Sequence, residues 1–161
     1  MTKASRLLAH CVLMVAAAFT AQPTLSFGAK DTIAVVVSKS FPVDSLSFGD
    51  LKRLYMGNSV TAGGKTLIPL TYPKQAQDRA AFDQRVLGMS PDEVGRYWID
   101  RKIRGQTGSP KTVESAEVVM KVVTKVEGAI GYVRHSAASQ TVKTLRIDGK
   151  LPTDPGYRIS D

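Results

Sequence analysis

Residues 66–87 read TLIPLTYPKQAQDRAAFDQRVL. Leu67, Ile68 and Leu70 predict a short strand. Tyr72-Pro73 ends it, because proline has no N–H to give a ladder and restricts the residue before it. From about Gln75 the period changes. Ala76, Ala80, Phe82, Val86 and Leu87 gather on one apolar face of a helix. A strand feeding a loop that opens a helix is where open α/β domains hold ligands, since unpaired N–H groups at a helix start attract anions.

Upstream, Thr32–Lys39 (TIAVVVSK) is a nearly unbroken β-branched run, expected to be a strand buried on both faces. Residues 45–55 place Leu51, Leu54 and Tyr55 on one helical face. Ser47 serves as N-cap, Asp50 lies in the first turn, Lys52 and Arg53 follow, and Gly57 terminates the helix. Gly63-Gly64-Lys65-Thr66 has the ending of a phosphate loop. Ser59 stands where that motif requires glycine, and the segment precedes a strand instead of following one, so it is a turn.

Downstream, Ser90-Pro91-Asp92-Glu93 is a helix start with a serine cap, proline at the first position and an acidic first turn. That helix is expected to reach about Ile103, with Trp98 in the core. Another runs from about Val113 to Val126; its valines are mediocre helix formers, so burial must stabilise it. Gly128–Val133 and Val142–Ile147 are the last strands, and Asp148-Gly149 is a turn. The order β-α-β-α-α-α-β-β predicts an α/β domain with a mixed sheet flanked by helices.

The first 28 residues have the layout of a signal peptide. Lys3 and Arg6 precede an apolar run from Leu7 to Phe19, too short for a comfortable membrane span. Ser26 and Gly28 favour cleavage before Ala29; cleavage after Ala18 and an uncleaved anchor are the alternatives. Residues 29–161 then form one domain in the periplasm, with no stable membrane insertion. Cys11, the only cysteine, lies in the apolar run without the small preceding residue of a lipidation signal. The remaining chain has no thiol chemistry and no disulfide.

With 43% hydrophobic and 22% charged residues the composition is that of a globular protein. Loss of Lys3 and Arg6 lowers the net charge from +8 to about +6, a surplus suited to anionic ligands or simply a solvated basic surface. The basic residues are scattered and lack interleaved aromatics, which argues against nucleic acid. His135 has no second histidine or cysteine for a metal, and Asp92-Glu93 is accounted for by its helix dipole. No nucleophile–base pair is visible. No enzyme activity, catalytic residue, cofactor or metal is expected.

Several short runs, in order and at matching spacing, resemble the phosphate-binding branch of the periplasmic solute-binding proteins. They are Leu51–Asn58 (LKRLYMGN), Ile68-Pro69-Leu70 with Arg79-Ala80-Ala81-Phe82, Tyr97-Trp98 with Arg104-Gly105, and Gly128–Val133 (GAIGYV). The resemblance covers about residues 32–135 and implies one lobe of a type II periplasmic-binding fold, hence a half-size, single-lobe member. It also implies a ligand loop in which Arg79-x-x-Phe82 follows a Ser-Gly-Thr run; here Ala76-Gln77-Asp78 occupy those three positions.

The ligand-binding residues expected are therefore Arg79, as the charge, with Tyr72, Lys74, Gln77 and Asp78 around it. The expected function is recognition of phosphate or a related small anion as an accessory to ABC-type uptake or sensing. One lobe encloses a ligand on one side only, so a homodimer or a partner is expected to close over it. The alternative is a protein-interaction module that keeps the fold without a ligand and docks a receptor, sensor kinase or membrane partner.

Overall fold

The computed structural model describes residues 32–160; the predicted signal peptide lies outside them. The central strand is β1 (Ile33–Ser38), whose residues Ile33 to Val37 are all fully buried. Burial of each branched side chain contributes about 1.5–3 kcal/mol, so this strand anchors the domain. The chain continues through β2 (Ser45–Leu46) and α1 (Phe48–Tyr55). Ser47 caps α1 by accepting from the Asp50 N–H at 3.0 Å.

Two-residue strands β3 (Thr61–Ala62) and β4 (Lys65–Thr66) form a hairpin around Gly63-Gly64, both at positive φ, as a tight primed turn requires. Next come β5 (Ile68–Thr71), α2 (Gln77–Phe82) and α3 (Pro91–Ile103). The reciprocal serine–glutamate cap expected at Ser90 and Glu93 is present. β6 (Lys111–Thr112), α4 (Ala116–Lys125), β7 (Ala129–Arg134), β8 (Val142–Thr144) and β9 (Arg146–Ile147) complete the domain.

The main sheet has the order β6-β5-β7-β1-β8 and is mixed. β6, β5 and β7 run parallel, whereas β1 is antiparallel to both β7 and β8. Helix α4 packs on the sheet through buried Val119 and Val123. An aromatic cluster fills the space beside α1 and α2. The Tyr132 ring stacks on Phe82 with centroids 3.8 Å apart, and Tyr55 and Tyr72 meet it edge-on.

Four sequence expectations need correction. The helix from Gln75 to Leu87 is not continuous: α2 gives way to a π turn over Asp83–Leu87, closed by the Gly88 N–H on the Asp83 carbonyl at 3.0 Å. The wider turn lets Phe82, Asp83, Val86 and Leu87 all point inward. The helix placed from Val113 begins instead at Ala116, because Ser115 caps it and Lys111-Thr112 is drawn into the sheet beside Leu70-Thr71. The strand over 142–147 breaks at Leu145, after which β9 leaves the main sheet to pair with β2 in parallel. Trp98 is half-buried and packs against the core instead of lying within it.

Candidate functional site

Because β5, β6 and β7 are parallel, their carboxyl ends at Thr71, Thr112 and Arg134 share one edge of the sheet. The loops leaving β5 and β6 lead straight into α2 and α4 at that edge. Open α/β sheets hold ligands in the crevice outside such strand ends. All five residues predicted from sequence lie on the loop and first helical turn that follow β5.

Tyr72 and Arg79 are brought together. The Arg79 Nη1 donates to the Tyr72 carbonyl at 2.9 Å and Nε donates to Asp83 Oδ2 at 3.2 Å. The guanidinium thus folds back over the strand end, with its side chain 14% exposed against 4% for Asp83. The Nη2 group takes part in neither bond. The Tyr72 hydroxyl is buried and donates to the Tyr132 carbonyl at 2.8 Å. Burial holds both tyrosine hydroxyls protonated, far above the ordinary tyrosine range.

The other three residues point elsewhere. Asp78 accepts from Arg134 Nε at 2.7 Å, which ties the first turn of α2 to the end of β7. Lys74 Nζ lies 2.6 Å from Asp92 Oδ1 and links the loop to the start of α3. That hydrogen bond and charge hold the Asp92 carboxyl below its ordinary value. Gln77 is exposed on the outer side of the helix start.

Asp83 is the site residue that sequence reasoning missed. Burial pushes its carboxyl above the ordinary aspartate value, and the Arg79 charge and hydrogen bond oppose that shift without cancelling it. The signal in the sequence was its spacing alone, an acid four positions after an arginine; that it faces inward follows from the π turn. A cavity of about 170 Å³ opens against this pair, lined also by Thr71, Trp98, Ser109 and Thr112. It is lined by a guanidinium, a carboxylate and the hydroxyl-bearing Tyr55, Thr71, Ser109 and Thr112, with Tyr55 and Trp98 as aromatic walls. The Tyr55 hydroxyl is bonded to the Leu70 carbonyl and that of Thr71 to the Tyr132 hydroxyl. Such a set can bind a small oxyanion, the guanidinium and hydroxyls donating and the carboxylate accepting any proton the ligand carries. Among the described residues no group of three histidine, cysteine, aspartate or glutamate side chains could hold a metal. No helix among them is long and apolar enough to cross a membrane.

No family model matches the chain, and no curated protein is similar to it in sequence. Solved structures are similar in fold. An ABC-type phosphate transport receptor from Vibrio cholerae aligns with TM-score 0.66 and 19% identity, over 82% of this chain and 54% of that one. PstS from Borrelia burgdorferi aligns with TM-score 0.64 and 14% identity, over 81% and 55%. This chain therefore spans about half the length of the structures it matches. Its described residues have the fold of one lobe of the phosphate-type ABC-transporter substrate-binding proteins.

Proposed function

We propose that the chain is an exported, non-enzymatic substrate-binding-like protein that recognises phosphate or a related small anion as an accessory to ABC-type uptake or sensing. In this reading residues 1–28 are a cleaved signal peptide and residues 29–161 act in the periplasm. The observation that carries it is the position of Arg79: its guanidinium is fixed at the carboxyl edge of the sheet, on a cavity lined by Thr71, Ser109 and Thr112. The likeness in fold to phosphate transport receptors supports the same reading. Arg79 supplies charge, the hydroxyls supply direction, and Asp83 sets which protonation state of the ligand is tolerated. Lys74, Gln77 and Asp78 border the loop and shape its approach. A homodimer, or a partner belonging to the transporter, closes over the open side.

Calorimetry of the purified protein with phosphate, sulfate and small carboxylates tests this. The expected result is a phosphate heat that Arg79→Lys weakens, since lysine keeps the charge and loses the planar fork. No heat at millimolar ligand would reject the reading. One observation favours the second function, a protein-interaction module. Asp83 already neutralises Arg79, so the loop can be held together entirely from within.

A further inference from the structure

A groove larger than the Arg79 cavity lies between the end of α3, the loop of residues 104–110 and the outer edge of β5, and meets that cavity at Ser109. It measures about 640 Å³ and adjoins a second hollow of about 210 Å³ on the flank of α3. Ile68, Pro69, Trp98 and Ile99 give these hollows apolar walls, while Lys102 and Lys111 supply their only charges. Neither lysine enters any salt bridge or side-chain hydrogen bond among the described residues. No acidic residue lines either hollow. Ile99 is 62% exposed and Ile103, one helical turn further on, is 79% exposed. Two isoleucines so exposed on one helical ridge, beside a groove of one charge sign, have the composition of a docking surface.

We propose that this groove docks an acidic polypeptide segment that also carries apolar side chains. Charge complementarity selects that occupant. Two lysines without a salt-bridge partner line hollows that hold no acid, while the nearby Asp100 is already paired with Arg104, so an anionic partner gains on both encounter and binding. The chain's own first 31 residues cannot be the occupant on this ground, for Lys3, Arg6 and Lys30 outnumber Asp31. A second copy entering by the same surface would bring lysine against lysine. Strand addition is also blocked. The Ile68 N–H points to Gly128, so the outward positions are Leu67, already bonded to Val60, and Pro69, which has no N–H. Recognition must therefore come from side chains: carboxylates on Lys102 and Lys111, apolar groups on Ile99 and Trp98. The concave shape suits a chain segment better than a flat membrane. The proposal goes beyond anion recognition and does not depend on it, because none of Lys102, Lys111 and Ile99 lines the Arg79 cavity.

Fluorescence anisotropy with a labelled short peptide alternating glutamate and valine tests it. Matched lysine–valine and glutamate–serine peptides, phosphatidylglycerol vesicles and sedimentation of the protein alone run beside it. The glutamate–valine peptide is expected to bind, to bind less tightly as salt rises, and to lose about tenfold in affinity in Lys102→Glu/Lys111→Glu. Ile99→Ser is expected to weaken it as well. All these positions are exposed, so the fold is not at risk, and the phosphate heat of each variant reports separately on the Arg79 cavity. No binding, equal binding of the lysine–valine peptide, an affinity unmoved by the substitutions, preferential binding to vesicles, or self-association through this face would each overturn the proposal.

Discussion

Arg79 and Asp83 form an ion pair inside the domain, with Nε 3.2 Å from Oδ2, and the same guanidinium is bonded to the Tyr72 carbonyl at 2.9 Å. The pair joins the end of β5 to the π turn, so a residue expected to meet a ligand also holds its own loop in place. Removing one partner leaves the other charge buried and uncompensated, which costs about 3–5 kcal/mol, whereas replacing both with apolar groups of similar volume is far milder. Arg79→Ala should therefore destabilise strongly in urea unfolding, and Arg79→Met/Asp83→Leu much less. An Arg79→Ala as stable as the parent would show that the pair carries no structural role. Anion binding must consequently be read from Arg79→Lys.

The same pair predicts a pH dependence. The Asp83 carboxyl is raised by burial, so the folded state binds its proton more readily than the unfolded state does. Its contribution is then fully present below the ordinary aspartate value and is lost as pH rises through the higher folded value. Asp83→Asn should flatten the stability profile across that interval while leaving the acid limb below it intact. Urea midpoints measured through the interval test this. An unchanged slope in Asp83→Asn would assign the dependence to another group.

The strands and caps were legible because local chemistry specifies them. The valine run of β1 is hydrophobic on both faces, and Ser90 with Glu93 satisfies the first N–H groups of α3 whatever lies around it. The π turn was not legible, since Ala80, Phe82, Val86 and Leu87 also fit an ordinary helix; only tertiary packing requires Asp83 and Leu87 to face inward together. β6 was hidden for a similar reason. Lys111-Thr112 has no apolar alternation and becomes a strand only through its pairing with Leu70-Thr71. At the site, sequence placed Arg79 at the strand–loop–helix junction. It could not show that Asp83 and the Tyr72 carbonyl bond two of the guanidinium's nitrogens, or that the loop after α3 and the strand β6 it leads into bring Ser109 and Thr112 to the same cavity.

Gly131 sits in the middle of β7 at the point where α4 crosses the sheet. A Cβ there would lie 2.5 Å from the Val119 Cγ1, too close for any unshifted contact. Gly131→Ala should cost about 1–3 kcal/mol, the range for overpacking a well-filled core. Val119→Ala in the same chain should relieve part of that cost by making room, although it is destabilising alone. A double-mutant cycle in urea measures the coupling, and purely additive effects would show that α4 moves aside freely.

Tyr72 gives the sharpest separation between holding the loop and touching a ligand. Its hydroxyl is buried on the Tyr132 carbonyl, whereas its own carbonyl is the group that positions Arg79. Tyr72→Phe removes the first interaction and keeps the second. It should lower stability by about 1 kcal/mol, the usual net worth of one intramolecular hydrogen bond. The phosphate affinity should stay unchanged, because the carbonyl, the Arg79–Asp83 pair and the cavity hydroxyls all remain. Calorimetry and urea unfolding on the one variant give both values. A fall in affinity without a fall in stability would mean that the hydroxyl leaves Tyr132 and meets the anion directly.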